Sequence, residues 1–250
     1  MIVDERRAKI LKEIEDSGFI SLQVLTDRVG ASESTVRRDL EHLDRIGQVR
    51  RTRGGAAVID DTEQPFEDLR TESMEEKRKI AAAVVRLFEP GDAILLDAGT
   101  TAIEVARRLE SMHLQIVTNS LPIANILAHR PEIELMMIGG IIDRSSGVAL
   151  GPMALAALSG VRVRRLVMGV GGVTEQGLFN KNTLLVDMER RMIDTADEVI
   201  VAAHSAKFGR SAISPLCSFD AVDRIVTDDA LPDRWRDVIK SKQVALTVAT

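Results

Sequence analysis

The chain has little that would support a disulfide-linked, metal-binding or membrane-spanning protein. Its single cysteine, Cys217, can form neither an internal disulfide nor a thiolate zinc site, which favours a reducing, cytoplasmic setting. The four histidines are scattered without metal-ligand spacing, and we expect neither a metal nor a cofactor. The longest uncharged run, 111–129, is broken by polar residues and a proline, and the first residues lack the order of a signal peptide. We therefore expect no membrane association.

Aromatic side chains are also scarce, at 3% of the residues, with no tyrosine and a single tryptophan. RNA loops and single strands are commonly recognised by stacking of bases on aromatic rings, so these partners are disfavoured. The glycine-rich segment 169–172 has neither the spacing of a dinucleotide-binding loop nor the Gly-Lys-Thr/Ser of a Walker loop. Neither of these two nucleotide-binding motifs is therefore present.

The charge is distributed unevenly along the chain. The net charge is −5, yet residues 1–58 carry 11 Lys/Arg against 10 Asp/Glu, and the remaining 192 residues carry 22 against 28. The stretch 45–53 holds four arginines and no acidic residue. A local basic patch on an acidic chain can attract a polyanion at one face. Charge alone does not distinguish such a site from an ordinary solvated surface.

Three helical patterns follow one another in the first segment, at 4–17, 21–29 and 32–46. Gly18, Gly30 and Gly47 stand where these helices would end. The second and third patterns, joined by a short turn at 30–31, have the dimensions of a helix-turn-helix. Residues 48–58 then predict two short strands around a Gly-Gly turn, which together with the helices would form a winged domain.

The outer face of the third helix carries hydroxyl residues at its beginning and arginines further along. Such a helix can enter the major groove, where arginine pairs with guanine while hydroxyls and other arginines hold phosphates. Arginines on the wing can lie along the DNA backbone. The alternative is an ordinary amphipathic helix with a charged outer face. The candidate contacts to double-stranded operator DNA are Ser32, Ser34, Thr35, Arg37, Arg38, Arg45, Arg50, Arg51 and Arg53.

The remainder of the chain predicts a second, larger domain. Residues 59–71 are acidic and lack an apolar period, so we divide the chain into a DNA-binding domain at 1–58, a linker at 59–74 and an effector-sensing domain at 75–250. Helical patterns then alternate with short apolar runs at 93–96, 114–117, 133–138, 165–170, 199–203 and 221–226. This alternation predicts an α/β fold with a mainly parallel sheet covered on both faces.

Several loops that follow these predicted strands suit an anionic ligand. Glycines allow the backbone to approach a ligand, threonines add hydroxyl donors, and helix N-termini favour anions. In parallel sheets such loops meet at the carboxyl ends of the strands, although glycine and threonine also make simple turns and caps. The candidate effector-binding residues are Asp97, Gly99, Thr100, Thr101, Thr118, Asn119, Ser120, Gly139, Gly140, Gly171, Gly172 and Lys207.

The sequence resembles the DeoR family of bacterial transcription regulators over essentially its whole length. The resemblance is carried by Thr35-Val36-Arg37-Arg38-Asp39-Leu40, Arg51-Thr52-Arg53-Gly54-Gly55-Ala56, Asp97-x-Gly99-Thr100-Thr101 and Ser205-x-Lys207-Phe208-Gly209. It implies a winged helix-turn-helix followed by a sensor domain similar in fold to ribose-5-phosphate isomerase and glucosamine-6-phosphate deaminase. It further implies a repressor, released from its operator by a phosphorylated sugar.

Two segments depart from the family pattern near the expected pocket. Where the family usually has Asp-x-Ser-Lys, this chain has His204-Ser205-Ala206-Lys207. Where the family commonly has Glu and then Val-Lys-Arg-Ala-Met, this chain has Leu185 and then Met188-Glu189-Arg190-Arg191-Met192. Both departures bear on which effector binds, and on whether one binds at all.

Three functions are compatible with these patterns. The first is a ligand-responsive repressor of a sugar or carbohydrate catabolism operon, acting as a homodimer or homotetramer. The second is a sugar-phosphate isomerase or deaminase with a nucleic-acid-binding appendage, using Asp97, His204 or Lys207 in proton transfer. The third is a DNA-binding scaffold whose pocket has lost its ligand. Because no catalytic set of residues assembles from the sequence, we expect a regulator rather than an enzyme.

Overall fold

The computed structural model of the protein describes residues 3–17, 19–45, 48–52, 54–58, 73–109 and 112–250. The chain divides into two compact units, residues 1–63 and 64–250, and each is described by itself. Most of the predicted linker, residues 59–72, lies outside the described residues. The domain limits at 58 and 75 therefore remain a prediction.

The first unit combines three helices with a small antiparallel sheet. The helices are α1 (Val3–Ser17), α2 (Leu22–Val29) and α3 (Glu33–Arg45), and the strands are β1 (Phe19–Ser21), β2 (Val49–Thr52) and β3 (Gly55–Val58), in the order β1-β3-β2. Apolar side chains at helical spacing, such as Ile10, Leu25, Val36 and Leu40, form its core. The predicted helix-turn-helix and its two-stranded wing are thus both present.

Strand β1 adds a third strand to the predicted two-stranded wing. The sequence did not predict it, because three residues are too few to show an alternating pattern. It pairs antiparallel with β3, and its Ile20 lies opposite Ala56. The approach is so close that a Cβ atom at Gly55 would stand 2.1 Å from the Ile20 carbonyl oxygen. Gly55 is therefore required where strand β3 of the wing packs against β1.

An ion-pair cluster ties α1 to α3. Asp39 is 2% exposed, and it accepts hydrogen bonds from Arg6 Nε at 2.5 Å and Arg7 Nε at 3.1 Å. Burial alone would raise the pKa of Asp39. The hydrogen bonds and charges of the two arginines lower this pKa by more, so it lies below its usual value. Asp39 is thus held ionised on the inner side of α3.

The second unit is an α/β domain. Its first half contains α4 (Met74–Val85), β4 (Ala93–Leu96), α5 (Thr100–Arg107), β5 (Leu114–Thr118), α6 (Leu121–Leu127), β6 (Ile133–Met137), β7 (Ile141–Asp143), β8 (Val148–Leu150) and α7 (Pro152–Leu158). Its second half contains β9 (Val163–Met168), β10 (Gly172–Thr174), β11 (Gly177–Asn180), α8 (Thr183–Ile193), β12 (Ala196–Ala202), β13 (Ser214–Cys217), β14 (Arg224–Asp228), α9 (Asp233–Ser241) and β15 (Ala245–Ala249).

Seven of these strands form one parallel sheet, in the order β15-β14-β12-β9-β4-β5-β6. Its strands alternate between two apolar clusters. Leu95 packs with side chains of α7, α8 and α9 on one face, which we call the α8 face. Ile94 and Leu96 pack with α4, α5 and α6 on the other, the α5 face. The predicted parallel sheet covered on both sides is confirmed.

The structure adds strands that the apolar runs did not reveal. β15 forms one edge of the large sheet, and its outer residues are only partly buried. The β7–β8 hairpin and the small sheet β10-β11-β13 are antiparallel additions at 141–150 and 172–217. Each strand in these additions has three or four residues, which is too short to give a clear period. No helix in the described part of the chain is long and apolar enough to cross a membrane.

Removing the charge of Asp39 should loosen the first unit. We expect Asp39→Asn to lower its stability by about 2 kcal/mol, below the cost of breaking a fully buried pair, because both arginines keep some contact with solvent. Hydrogen exchange of peptides from residues 3–58 in the full chain measures this loss. Asp27→Asn, at an exposed position of α2, is the matched control and should change exchange little. Equal protection in both variants would contradict the role given to Asp39.

Candidate functional site

The beginning of α3 presents a cluster of hydroxyl groups. Ser32 precedes the helix, and its hydroxyl lies 3.1 Å from that of Ser34 and 2.8 Å from that of Thr35. It also accepts a hydrogen bond from the Thr35 backbone N–H at 3.3 Å, which caps the helix. All three candidate hydroxyls therefore lie together at the N-terminus of α3, where helix polarity favours a phosphate.

Two arginines on the outer face of α3 differ in whether they form an ion pair. Arg37 is exposed and bonded to Glu33 one turn earlier, with Nη2 2.6 Å from Oε1. Arg38 is exposed and has no hydrogen-bond or ion-pair partner among the described residues. Surface pairs such as Arg37–Glu33 contribute little and break readily. Arg38 is thus the better placed of the two to bind a base edge.

The wing places Arg51 beside the C-terminal half of α3. Its Nη1 is 3.0 Å from Glu41 Oε1, and its backbone N–H donates to Asp44 Oδ1 at 3.0 Å. The side chains of Arg45 and Arg50 are not among those described, although both residues lie in α3 and β2 as predicted. Arg53 lies outside the described residues.

The second candidate site lies at the carboxyl end of the parallel sheet. From β4 the chain builds outward to β5 and β6, and it then returns to place β9 on the opposite side of β4. The strand order therefore reverses between β4 and β9, and this is the position at which sheets of this kind hold a ligand crevice beyond the strand ends. Because all seven strands run the same way, the loops that carry every candidate effector residue lie along this one edge.

The N-terminus of α5 opens onto this crevice. Gly99 is the cap residue, and no side chain caps the helix. A Cβ atom at Gly99 would meet nothing within 4 Å, so the space beside it is open. Thr100 is half-buried and Thr101 is 7% exposed at the first turn. The leading N–H groups of the helix are thus placed to receive an anion.

The triplet after β5 is mostly used in the fold itself. The Thr118 hydroxyl donates to the Leu96 carbonyl at 2.7 Å, and the Ser120 hydroxyl caps α6 by accepting from Ile123 N–H at 3.4 Å. Asn119 donates to the Ala149 carbonyl at 3.2 Å, but its Oδ1 has no hydrogen-bond partner among the described groups. Of the three, Asn119 has an oxygen left for a ligand.

Packing explains two of the candidate glycines. A Cβ atom at Gly140 would lie 2.6 Å from the Leu150 carbonyl oxygen, and one at Gly172 would lie 2.3 Å from the Arg210 carbonyl oxygen. Gly171 is less confined, with Asn180 Oδ1 at 3.1 Å, and Gly139 faces open space. The identity of Gly140 and Gly172 therefore needs no ligand to account for it.

Two buried carboxyl groups lie on the α8 face of the crevice. Asp97 and Glu189 are both fully buried, and Glu189 Oε1 accepts a hydrogen bond from Asn180 Nδ2 at 2.5 Å. Burial raises the pKa of Asp97 to about 7, opposed by the Ala98 N–H. Burial and then the charge of Asp97 raise the pKa of Glu189 well above its usual value. Glu189 and Asn180 were not among the sequence candidates.

Basic groups gather at the carboxyl end of β12. Burial, and after it the charges of Lys207 and Lys77, lowers the pKa of His204 to about 4, so His204 is neutral at pH 7. Lys77 is 3% exposed on α4, which packs against α5. Lys207 is one of the candidate effector-binding residues predicted from the sequence, whereas Lys77 is not. Among the described residues, no group of three or more His, Cys, Asp or Glu could hold a metal ion.

A winged helix-turn-helix unit followed by an α/β unit built on a parallel sheet defines a class of transcription regulators that carry an appended sensor domain. The family model of the DeoR-like helix-turn-helix domain matches residues 6–62, and that of the DeoR C-terminal sensor domain matches residues 72–229. The chain therefore belongs to the DeoR family of transcription regulators, as its sequence motifs indicated.

Individual relatives agree with this assignment. The chain is 32% identical over 235 residues to a protein of Escherichia coli O157:H7 named as an aga operon transcriptional repressor, covering 91% of this chain and 87% of the relative. It is 29% identical to the transcriptional repressor GlcR of Bacillus subtilis, covering 99% and 97%. Both are named as regulators and not as enzymes, which argues against the isomerase or deaminase alternative.

A solved structure of ribose 5-phosphate isomerase A from Methanocaldococcus jannaschii also matches. It is 22% identical, with a TM-score of 0.39, and the match covers 57% of this chain and 54% of the isomerase. The fold of the second unit is defined by its own parallel sheet and by the match to the sensor-domain family.

Replacement of the outer arginines should separate base contacts from phosphate contacts. Arg38→Ala should cost roughly 1–3 kcal/mol in binding and relax base preference, whereas Arg51→Ala should weaken all sequences alike and flatten the salt dependence. Glu41→Gln is a matched control, because it releases Arg51 from its 3.0 Å ion pair and should strengthen binding slightly. Fluorescence anisotropy with duplexes of several sequences and salt concentrations measures each effect. Parental binding in both arginine variants would contradict these roles.

The buried groups of the crevice predict opposite pH dependences of stability. The pKa of Asp97 is raised to about 7. Its contribution to the free energy of unfolding is therefore fully present below pH 3.8 and is lost as the pH rises through about 7. The pKa of His204 is lowered to about 4, so its contribution is present above pH 6.5 and is lost as the pH falls through about 4. Urea unfolding followed by Trp235 fluorescence should show Asp97→Asn removing the first slope and His204→Gln the second. Parallel pH profiles for parent and variants would refute both assignments.

Proposed function

We propose that this protein is a repressor of a sugar or carbohydrate catabolism operon and that a phosphorylated sugar releases it from operator DNA. The observation that supports the effector most directly is the uncapped N-terminus of α5 at the reversal of strand order, beside open space at Gly99. A phosphate fits this position, and the sugar would extend along the carboxyl ends of the neighbouring strands. We place this activity in the cytoplasm, where operator DNA is accessible.

Recognition of the operator is assigned to α3 and the wing. The hydroxyls of Ser32, Ser34 and Thr35 would hold a phosphate at the helix N-terminus, and Arg38 would read a base edge. Arg37, Arg45, Arg50, Arg51 and Arg53 would contact the flanking backbone. One winged unit offers a small contact area, so we propose that a homodimer or homotetramer binds two half-sites.

Effector binding is assigned to the crevice beyond β4 and β9. The helix N-terminus at Thr100 and Thr101, with Lys207 nearby in the basic group, would neutralise the phosphate. Asp97, Asn119, Gly139 and Gly171 would face the sugar, while Thr118, Ser120, Gly140 and Gly172 hold the surrounding loops in place. Release from DNA requires that the sugar phosphate binds more tightly to an arrangement with low operator affinity.

Footprinting of DNA that flanks this gene tests both functions together. We expect a protected segment with two related half-sites about 10 base pairs apart, or a multiple of that spacing, and loss of protection when a mixture of phosphorylated sugars is added. Arg38→Ala should abolish the footprint. Lys207→Gln should retain the footprint and lose the response to the mixture.

Two results would contradict this proposal. Protection that does not depend on DNA sequence would reject a specific operator. A specific footprint that ignores every sugar phosphate, together with an unchanged melting temperature of the protein, would favour the scaffold whose pocket has lost its ligand.

A further inference from the structure

The crevice contains an unusual set of unpaired hydrogen-bond acceptors. Oε2 of Glu189 and Oδ1 of Asn119 are buried and accept no hydrogen bond from any described group, and the two buried oxygens of Asp97 have only the Ala98 N–H close by, outside good hydrogen-bond geometry. Buried polar atoms are nearly always paired, because an unpaired one loses its hydration without compensation. The unpaired atoms are all oxygens, and the Asn119 amide N–H already donates to the Ala149 carbonyl, so a group that fits here must supply one or more N–H or O–H donors.

The strand register places these three side chains on the same side of the sheet. Leu95 and Val117 belong to the α8-face cluster, and side chains two residues apart on a strand share a face. Asp97 and Asn119 follow Leu95 and Val117 by two residues each, so both project toward α8. Glu189 lies on the inner side of α8, between Val186 and Met192, which pack in the same cluster.

The charge of this set selects the kind of donor. Two carboxyl groups so close that the charge of Asp97 raises the pKa of Glu189 repel each other when both are ionised. With a neutral hydroxyl, one carboxyl group stays protonated and avoids that repulsion, whereas an ammonium group brings a positive charge and three N–H donors that stabilise both carboxylates. A divalent metal is less suitable, since no group of three metal-ligating His, Cys, Asp or Glu side chains occurs among the described residues.

The opposite side of the crevice has the opposite character. The uncapped N-terminus of α5 lies on the α5 face, as does α4 with Lys77, and Lys207 follows β12 on the same sheet edge. The open space at Gly99 and Gly169 lies beyond β4 and β9, the strands that flank the crevice. A ligand there meets donors and positive charge at one end and the unpaired oxygens of Asp97, Glu189 and Asn119 at the other.

Resting on the proposed sugar-phosphate response, we infer that the effector is a phosphorylated amino sugar whose ammonium group is bound by Asp97, Glu189 and Asn119. Glu189 is then the residue that distinguishes an amino sugar from the corresponding neutral sugar. Its phosphate occupies the N-terminus of α5.

Isothermal titration of the full chain with matched pairs of ligands tests this inference. The probes are glucosamine 6-phosphate against glucose 6-phosphate and galactosamine 6-phosphate against galactose 6-phosphate, each pair differing by one amino group. We expect at least one amino sugar to bind about tenfold more tightly than its partner, the effect of one charge-assisted hydrogen bond. Glu189→Gln should reduce this preference to about twofold or less.

Two further variants keep the test decisive. Asp187→Asn, an exposed position on the same helix, should retain the full preference. Asp97→Asn should lose it, which gives an independent result if Glu189→Gln fails to fold. Equal affinity for both members of each pair would overturn the inference and leave the proposed sugar-phosphate response intact. A preference that persists in both Glu189→Gln and Asp97→Asn would also overturn it. If none of the four probes binds, the inference is overturned, and the proposed sugar-phosphate response is contradicted as well if the mixture of phosphorylated sugars also leaves the footprint unchanged.

Discussion

The pairing of β9 with β4 is the constraint on which the sensing half of this protein depends. It brings strands that are about 70 residues apart in the chain into register, with Leu95 opposite Leu166, and the Asp97 N–H extends the ladder to the Val167 carbonyl at 3.0 Å. Because β5 and β6 lie on the other side of β4, the loops after β4 and β9 diverge and leave a crevice between them. The helix N-terminus, the buried carboxyl groups and the basic cluster all lie along that edge.

The two faces of the sheet give this crevice its polarity. Helices α4 and α5 bring an uncapped N-terminus and Lys77, whereas α8 brings Glu189 toward Asp97. Burial keeps solvent from screening Lys77 on one face and the carboxyl groups on the other, so charges here act over a longer range than they would on the surface. In the first unit, by contrast, the buried pair of Asp39 with Arg6 and Arg7 holds α3 in place while its outer arginines face solvent.

Much of this arrangement could be predicted from the sequence, because long elements repeat their periods. Helix α3, the wing and six strands of the parallel sheet were predicted from apolar spacing and glycine positions. The segment Asp97-x-Gly99-Thr100-Thr101 follows its strand as expected. The short strands β1, β7 and β10 gave no period. Glu189 is a different case, since it interrupts an apolar stripe between Val186 and Met192, and that interruption was the available signal. Which carboxylate it approaches depends on tertiary packing, which spacing along one helix does not reveal.

Hydrogen exchange of the full chain, with and without the phosphorylated sugar mixture, tests the location of the effector most directly. An effector bound between β4 and β9 should give new protection in peptides that contain 97–103 and 169–172, with no change at the opposite edge of the sheet, where Arg165 pairs with Asp92. Protection confined to that opposite edge, or to the DNA-binding unit, would contradict a crevice between β4 and β9 as the effector site.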